Sequence, residues 1–323
     1  MTTTHPEPVT RGRLGPPPSA PPHPAAEPAP DSGGDPAVLV ARAAAVEHRH
    51  GVLPLLDLFD EDPDGLLAAV RRGAVRAALG LFTPNARFSV EAAAVDAARD
   101  GGQTVLTGRF RYADPHATAV VVPVALPGEV RLALLPDTLG GGRLFGAGRG
   151  WAELDGAVFP ARALSRPVTW KPDGALSAAY DGCAQRFAPL AAAFSARAIA
   201  DLRRELARTG AGQDALSTSQ YTSHELSRLE IATALAAAAC TAPPGTQPLT
   251  GPSAAALLLA AVDALHRTLD LADNLSTELG LAAAPTLRDP SSTATVRAFF
   301  GGRRMVEGEL ARRMGLNPPQ AGR

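Results

Sequence analysis

The chain has 323 residues, of which 46% are hydrophobic and 20% charged, and its formal net charge at pH 7 is −1. This length buries one large core or two to three smaller ones, so we expect a soluble globular protein. The near-neutral charge argues against a nucleic-acid partner, because phosphate binding needs a basic surface, and no apolar run is long enough for a membrane span. The two cysteines, Cys183 and Cys240, fall on apolar helical stripes, which predicts free thiols in a reduced, cytoplasmic protein.

The first 35 residues carry ten of the thirty prolines and show no apolar periodicity. Such a segment cannot bury enough apolar surface to offset the entropy of ordering it, so we predict a disordered tail over residues 1–35. An alanine-rich helix is predicted from residue 38 to 46, followed by His48-Arg49-His50. A two-residue spacing on a helix does not suit a pair of metal ligands, so we interpret these side chains as cations at the helix C-terminus. No metal site is predicted elsewhere.

A second helix is predicted from residue 65 to about residue 79, with Asp62-Pro63-Asp64 as its cap. The two helices make up a short N-terminal helical segment over residues 36–80.

From residue 82 to about residue 167 the hydrophobic pattern has a period of two, which indicates strands. Turns are predicted at Asp100-Gly101-Gly102 and at Pro127-Gly128. We expect antiparallel strands that form a small barrel or sandwich over residues 81–168. The run Gly146-x-Gly148-x-Gly150 precedes a strand and not a helix, so we interpret these glycines as turn residues and not as a dinucleotide cradle.

The C-terminal half is helical, and it begins with apolar residues at alternating steps of four and three. The stripe of this first helix is Leu176, Tyr180, Cys183, Phe187, Leu190 and Phe194. Further helices are predicted after residue 220, around residues 258–279 and from residue 295 to 314. The expected fold is therefore α+β, with a four-helix bundle over residues 169–316 and a short tail at 317–323.

Several motifs resemble those of the acyl-CoA dehydrogenase family. Arg208-x-x-x-Gly212, then Gln220, then the residues from Leu226 to Glu230 resemble the family's R-x-x-F-G turn, glutamine and following helix. Residues 81–86 look like its T-E-P-x-A-G loop, and residues 106–114 like its L-x-G-x-K-x-W-I-T/S strand. The ending over residues 310–316 is similar to I-A-R-x-L-G-L. The N-terminal helical segment is considerably shorter than in the family.

The resemblance implies FAD as the cofactor and an acyl-CoA or acyl-carrier thioester as the substrate. Thr83, Tyr112 and Asp114 fall at positions that contact the flavin ring, with an acid at the last where the family has a hydroxyl. Arg208 and Gln220 match residues that touch the dinucleotide, and pairing of Arg208 with Glu205 is the alternative. The family's usual catalytic glutamate position holds a glycine, Gly301, so the alternative base position, on the first bundle helix, nominates Asp181. A solvated helix residue is the alternative for Asp181.

Three functional hypotheses follow from the resemblance. The first is a flavin-dependent oxidoreductase that acts on CH–CH groups of an acyl thioester, removing an α-proton while a β-hydride passes to FAD. The second is a degenerate or half-site subunit, which completes its pocket within a homo- or hetero-oligomer of family members. The third is a flavin monooxygenase of the same fold, which needs no carboxylate base.

Overall fold

The computed structural model describes most of the predicted helices and strands. The described residues are 36–80, 95–139, 150–169, 174–209, 220–241, 249–279, 290–299 and 302–316. Both predicted tails, the loop 81–86 with Thr83, Gly146, Gly148, the glycine turn at 210–212 and Gly301 lie outside them.

The first helix runs further than the alanine-rich stretch predicts. Helix α1 (Pro36–Val46) continues into a π-helical turn (Glu47–Val52), a short helix α2 (Leu53–Leu55) and a 3-10 turn (Leu56–Leu58). Pro54 has no N–H to donate to the carbonyl of His50, which lies in the widened π turn. His48-Arg49-His50 therefore lies inside a helical run, and its interpretation as a group of C-terminal cations is wrong.

The second helix is shorter than expected. In α3 (Leu66–Arg71), both oxygens of Asp62 accept hydrogen bonds, from the N–H groups of Leu67 and Ala68 at 2.9 Å each, which confirms the predicted cap. The helix stops before Gly73, which has φ of 72°, and does not reach residue 79. Instead β1 (Ala77–Leu79) pairs in parallel with the start of β4.

A mixed six-stranded sheet follows, formed by β1, β2 (Val95–Asp100), β3 (Gln103–Arg111), β4 (Ala119–Leu126), β5 (Glu129–Pro136) and β6 (Trp151–Pro160). Its strand order is β1-β4-β2-β3-β6, and β5 lies on the other edge of β4. The pairs β2–β3, β3–β6 and β4–β5 are antiparallel as predicted. The prediction of a wholly antiparallel sheet is wrong, because β1 and β2 run in the same direction along one edge of β4.

The C-terminal half contains α4 (Ala175–Thr209), α5 (Gln220–Cys240), α6 (Gly251–Leu279), α7 (Pro290–Ala298) and α8 (Gly302–Arg313). Helices α4, α5 and α6 pack on one another, α8 packs on α6, and α1 packs on α4 and α7. The predicted stripe of α4 is buried, with Leu190 partly so. The single helix predicted from residue 295 to 314 is wrong, since α7 ends at Ala298 and α8 begins at Gly302.

Three buried apolar clusters hold these layers together. One lies among the helices, one on a face of the sheet, and the third between the other face of the sheet, the segment from the π turn to α3, and the start of α4. Among the described helices, none combines the length and apolarity that a bilayer crossing requires.

Candidate functional site

The helical run, the sheet and α4 meet at a junction formed by the π turn, β1, the loop 112–118 and the first turns of α4. Tyr112 belongs to the sheet cluster while the next residue, Ala113, belongs to the helical cluster, so this loop passes from one layer to the other. The packing here is close. A Cβ atom on Gly51 would lie 2.6 Å from Cδ1 of Leu79 and 3.0 Å from Sγ of Cys183, so the π turn fits between β1 and α4 only without a side chain at this position.

Glu47 is the acidic side chain of this junction that comes from the π turn. It is 2% exposed, and its Oε1 accepts a hydrogen bond from the N–H of Leu79 at 2.6 Å. Burial, helped by the nearby charge of Asp114, raises the pKa of Glu47 to about 8, although the Leu79 N–H acts in the opposite direction. At neutral pH this carboxyl group is mostly protonated, so it anchors β1 without adding a buried negative charge.

His48 contacts the start of the same strand. Its Nδ1 lies 3.3 Å from the N–H nitrogen of Ala77 and 3.1 Å from the Ala77 carbonyl oxygen. Burial lowers the pKa of His48, and the positive charge of Arg76 adds to the effect. Burial and the charge of Arg186 likewise lower the pKa of His50. Both rings are therefore neutral at neutral pH, which explains why they do not act as helix-terminal cations.

Arg76 and Asp114 form an ion pair at the centre of the junction. Nε of Arg76 donates to Oδ2 of Asp114, whose other oxygen accepts the N–H of His116 at 3.0 Å. Asp114 is 1% exposed. The carbonyl of Arg76 in turn accepts the N–H groups of Thr118 and Ala119 at 2.9 and 3.2 Å, which fixes the loop to β1. Nη2 of Arg76 is shielded from solvent and has no hydrogen-bond partner among the described residues.

Tyr112 lies beside this pair, inside the sheet cluster. It is buried, and its ring centroid lies 6.5 Å from that of Phe110 at a tilted angle. Burial and the charge of Asp114 raise the pKa of Tyr112. The structure thus brings together Tyr112 and Asp114, two of the predicted flavin contacts, while Thr83 lies outside the described residues.

Asp181, the predicted base, faces a different set of residues. One carboxylate oxygen accepts from Nη1 of Arg313 in α8, and the other accepts the N–H of Gly251 at the start of α6, at 3.1 Å. Arg313 also pairs with Glu309 at 2.5 Å, and its guanidinium carbon lies 4.7 Å from the ring centroid of Tyr180. The alternative of a solvated helix residue does not hold, because Asp181 is buried and ties α4 to α6 and α8.

Arg208 and Gln220 lie at the end of α4 and the start of α5. Nη2 of Arg208 is 2.8 Å from Oε2 of Glu205, and the Arg208 side chain is 71% exposed. This is the pairing that the sequence offered as the alternative to a dinucleotide contact. Gln220 is the first residue of α5. Among the described contacts, none joins Arg208 to Tyr112 or Asp114.

Sequence reasoning missed Glu47 and Arg76, although both leave a signal in the sequence. Glu47 is the only acidic residue between residues 36 and 56, at the end of a stretch of alanine and valine and directly before His48-Arg49-His50. Arg76 interrupts the apolar run from residue 74 to 82. A lone charge in an apolar stretch indicates a buried polar partner, but the partner itself is not local in sequence.

The described surface also has a cavity of about 490 Å³ between the residues that lead into α3 and the ends of β5 and β6. Phe59, Leu67, Leu134 and Phe159 line it, and none of the predicted site residues does. Among the described residues, no group of three or more possible side-chain ligands could hold a metal ion.

Comparison with known proteins gives matches in structure only. No protein-family model and no curated protein matches the sequence. A glutaryl-CoA dehydrogenase from Mycobacterium smegmatis in complex with FADH2 superimposes with a TM-score of 0.56 at 15% identity, over 90% of this chain and 82% of that chain. The prolyl acyl carrier protein oxidase AnaB gives 0.57 at 14% identity, over 86% and 79%. The FAD complex of PigA gives 0.56 at 16%, over 87% and 82%.

These matches extend over the helical run, the sheet and the C-terminal helices, so they concern the whole architecture and not one layer. At this level of identity they establish the fold alone. The chain has the α+β fold of the acyl-CoA dehydrogenases, with helices and a curled sheet.

Proposed function

We propose that the chain is an FAD-dependent oxidoreductase of the acyl-CoA dehydrogenase type, acting on CH–CH groups of an acyl thioester. The observation that carries this proposal is the structural match over 90% of the chain to a dehydrogenase described as a complex with FADH2. The motifs at residues 81–86, 106–114 and 208–230 support it independently, because they are properties of the sequence and not of the fold.

The junction offers the polar edge of a flavin ring one hydrogen-bond donor. Nη2 of Arg76 is a buried donor with no partner in the described part of the chain, and a flavin carries carbonyl oxygens and ring nitrogens that accept hydrogen bonds. Bound FAD would supply a hydride acceptor. Thr83, Tyr112 and Asp114 are the residues we propose at the ring, and Arg208 and Gln220 those at the dinucleotide.

The proposed base is less well prepared for its task. Both carboxylate oxygens of Asp181 already accept hydrogen bonds, one from Arg313 and the other from the N–H of Gly251, whereas a general base needs an oxygen within reach of the substrate proton. This observation favours a second candidate function, a subunit that keeps the fold and binds FAD while a partner of the same family completes the catalytic site. In that case acyl-CoA or acyl-carrier thioester binding depends on the oligomer.

We also propose a finer description of the β-domain and of the helical bundle. We take the sheet as the small barrel or sandwich of the β-domain, and α4, α5, α6 and α8 as the four-helix bundle. A cytoplasmic location is part of the proposal as well.

The absorption spectrum of the purified chain, reconstituted with FAD, tests these alternatives. Flavin absorbance that an acyl thioester bleaches under anaerobic conditions supports the dehydrogenase. Retained FAD without bleaching supports the degenerate subunit, and bleaching restored by a co-expressed family member would confirm that role. Oxygen consumption by the chain with reduced flavin would favour a monooxygenase, and failure to retain FAD under any condition would overturn the proposal.

A further inference from the structure

Arg76 is connected to both predicted flavin segments, to one along the chain and to the other through a side-chain contact. It immediately precedes β1, which leads directly into the loop 81–86, and its side chain reaches Asp114, the predicted flavin contact at the end of the 106–114 motif. Its carbonyl accepts the N–H groups of Thr118, at the end of the loop 112–118, and of Ala119, at the start of β4. Backbone and side chain are therefore both anchored, so the direction of the guanidinium is set.

One N–H donor of this anchored guanidinium has no acceptor among the described residues. Nη2 is buried, and no described residue accepts from it. A buried donor on a charged group rarely remains unpaired in a native protein, because it has lost its water without gaining another acceptor. Nη2 of Arg76 therefore needs an acceptor that the described residues do not supply.

We infer that Arg76 donates this N–H to an acceptor atom of the flavin ring, and that the Arg76–Asp114 pair sets the relative affinity for reduced and oxidised flavin. The inference rests on the proposed function. The motif resemblance does not imply a pair between Arg76 and Asp114, because the family has a hydroxyl at the position of Asp114.

The side chains around the Arg76–Asp114 pair are uncharged, so they do not compensate a change in the charge of the pair. Glu47 and His48 face the pair from the π turn, and both are mainly uncharged at neutral pH because burial raises the pKa of the first and lowers that of the second. Tyr112, next to Asp114, has a raised pKa and is neutral too. The Asp114 side chain is 2% exposed and that of Arg76 is 38% exposed. Removing Arg76 therefore leaves a buried carboxylate, and removing Asp114 leaves a partly exposed guanidinium, each with little nearby compensation.

Substitutions of the two partners should shift the midpoint potential of the flavin in opposite directions. Reduced flavin carries more negative charge than oxidised flavin, so Arg76→Met, which leaves Asp114 uncompensated, should weaken binding of the reduced form relative to the oxidised form by about tenfold or more. For a two-electron couple this lowers the midpoint potential by about 30 mV. Asp114→Asn leaves Arg76 uncompensated and should raise the potential. The double variant should lie close to the wild type.

The experiment measures FAD affinity by flavin fluorescence and midpoint potential by dye-coupled reduction of each FAD-loaded variant. Arg109→Met is the matched control, because Arg109 also pairs with an acidic residue, Glu153 at 3.0 Å, but on the exposed face of β3 and β6. It should leave both quantities unchanged. If Arg76→Met does not fold, the sign of the shift in Asp114→Asn still tests the inference, and Arg76→Lys, which keeps the positive charge, should leave the potential close to that of the wild type.

Unchanged potentials, or shifts of the same sign in Arg76→Met and Asp114→Asn, would overturn the inference while leaving the proposed function intact. A wild-type chain that binds no FAD would overturn both.

Discussion

Asp181 shows how a single buried carboxylate can belong to the framework and still be a candidate for chemistry. It connects three helices through Arg313 and the N–H of Gly251. We expect Asp181→Asn to lower the free energy of unfolding by about 3–5 kcal/mol, because it leaves the buried guanidinium short of a counter-charge. Urea unfolding measures this loss. Arg208→Gln removes an exposed ion pair and should change stability by less than about 1 kcal/mol.

The same variant separates the two roles of Asp181. If Asp181→Asn unfolds at the wild-type urea concentration but no longer lets an acyl thioester bleach the flavin, the framework role fails and the base role gains support. A lower unfolding midpoint with bleaching retained would exclude Asp181 as the base.

Glu47 gives the fold a dependence on pH whose sign follows from its raised pKa. Between its ordinary value of 4.5 and about 8, the folded chain holds this proton more tightly than the unfolded chain does. Stability from Glu47 is therefore fully present below pH 4.5 and is lost as the pH rises towards 8. Relative to Glu47→Gln, the wild type should lose up to about 1.4 kcal/mol per pH unit in this window.

Thermal or urea unfolding of both proteins at several pH values tests this prediction. His48, which has a lowered pKa, loses stability in the opposite direction as the pH falls. Because both proteins contain His48, its effect largely cancels in the difference between them. A difference that does not change from pH 5 to 8 would contradict the prediction.

At the scale of elements, β1 shows why a local pattern fails where tertiary pairing decides. The segment around Ala77-Ala78-Leu79 is rich in alanine and predicts helix by propensity, yet it lies as a parallel strand against β4. Gly80 continues this strand, and a Cβ atom there would lie 2.6 Å from Cγ1 of Val122 and 2.8 Å from Cγ1 of Val120. The absence of a side chain lets the chain approach β4 closely.

We expect Gly80→Ala to destabilise the fold by about 1–3 kcal/mol, because the short branched valines cannot move away. Gly102→Ala is the matched control, since no atom lies within 4 Å of a Cβ placed there. Guanidinium unfolding of both variants checks the difference. Equal midpoints for the two would show that the strand can shift and that close packing at Gly80 does not matter.

The elements predicted correctly are those in which apolar residues recur at a regular spacing within a short stretch of sequence. The apolar stripe of α4 and the helix around residues 258–279 are of this kind, because each presents an apolar face to a large core. The junction is different. Arg76 and Asp114 are 38 residues apart, and the residue types alone do not say that they pair. Resemblance nominated Asp114, but its partner and the role of Glu47 appear only in three dimensions.

At the scale of the whole molecule, α5 leaves an apolar surface uncovered. Ile231 and Leu235 are 62% and 66% exposed, and from residue 231 to 239 the side chains of α5 facing solvent are alanine, isoleucine and leucine. A helix on the surface of a monomer usually presents polar residues there. None of the described residues covers this face, and its small side chains suit the close approach of an identical helix.

We therefore expect a second copy of the chain to pack on this face. The double variant Ile231→Glu with Leu235→Glu should reduce the mass measured by light scattering to that of one chain, because two identical faces would each carry buried like charges. Val158→Glu, at a site that is 48% exposed on β6, is the control and should leave the mass unchanged. A wild-type chain that is monomeric at high concentration would show that α5 does not self-associate, and co-purification of a different family member on the same face would assign the surface to the heteromer.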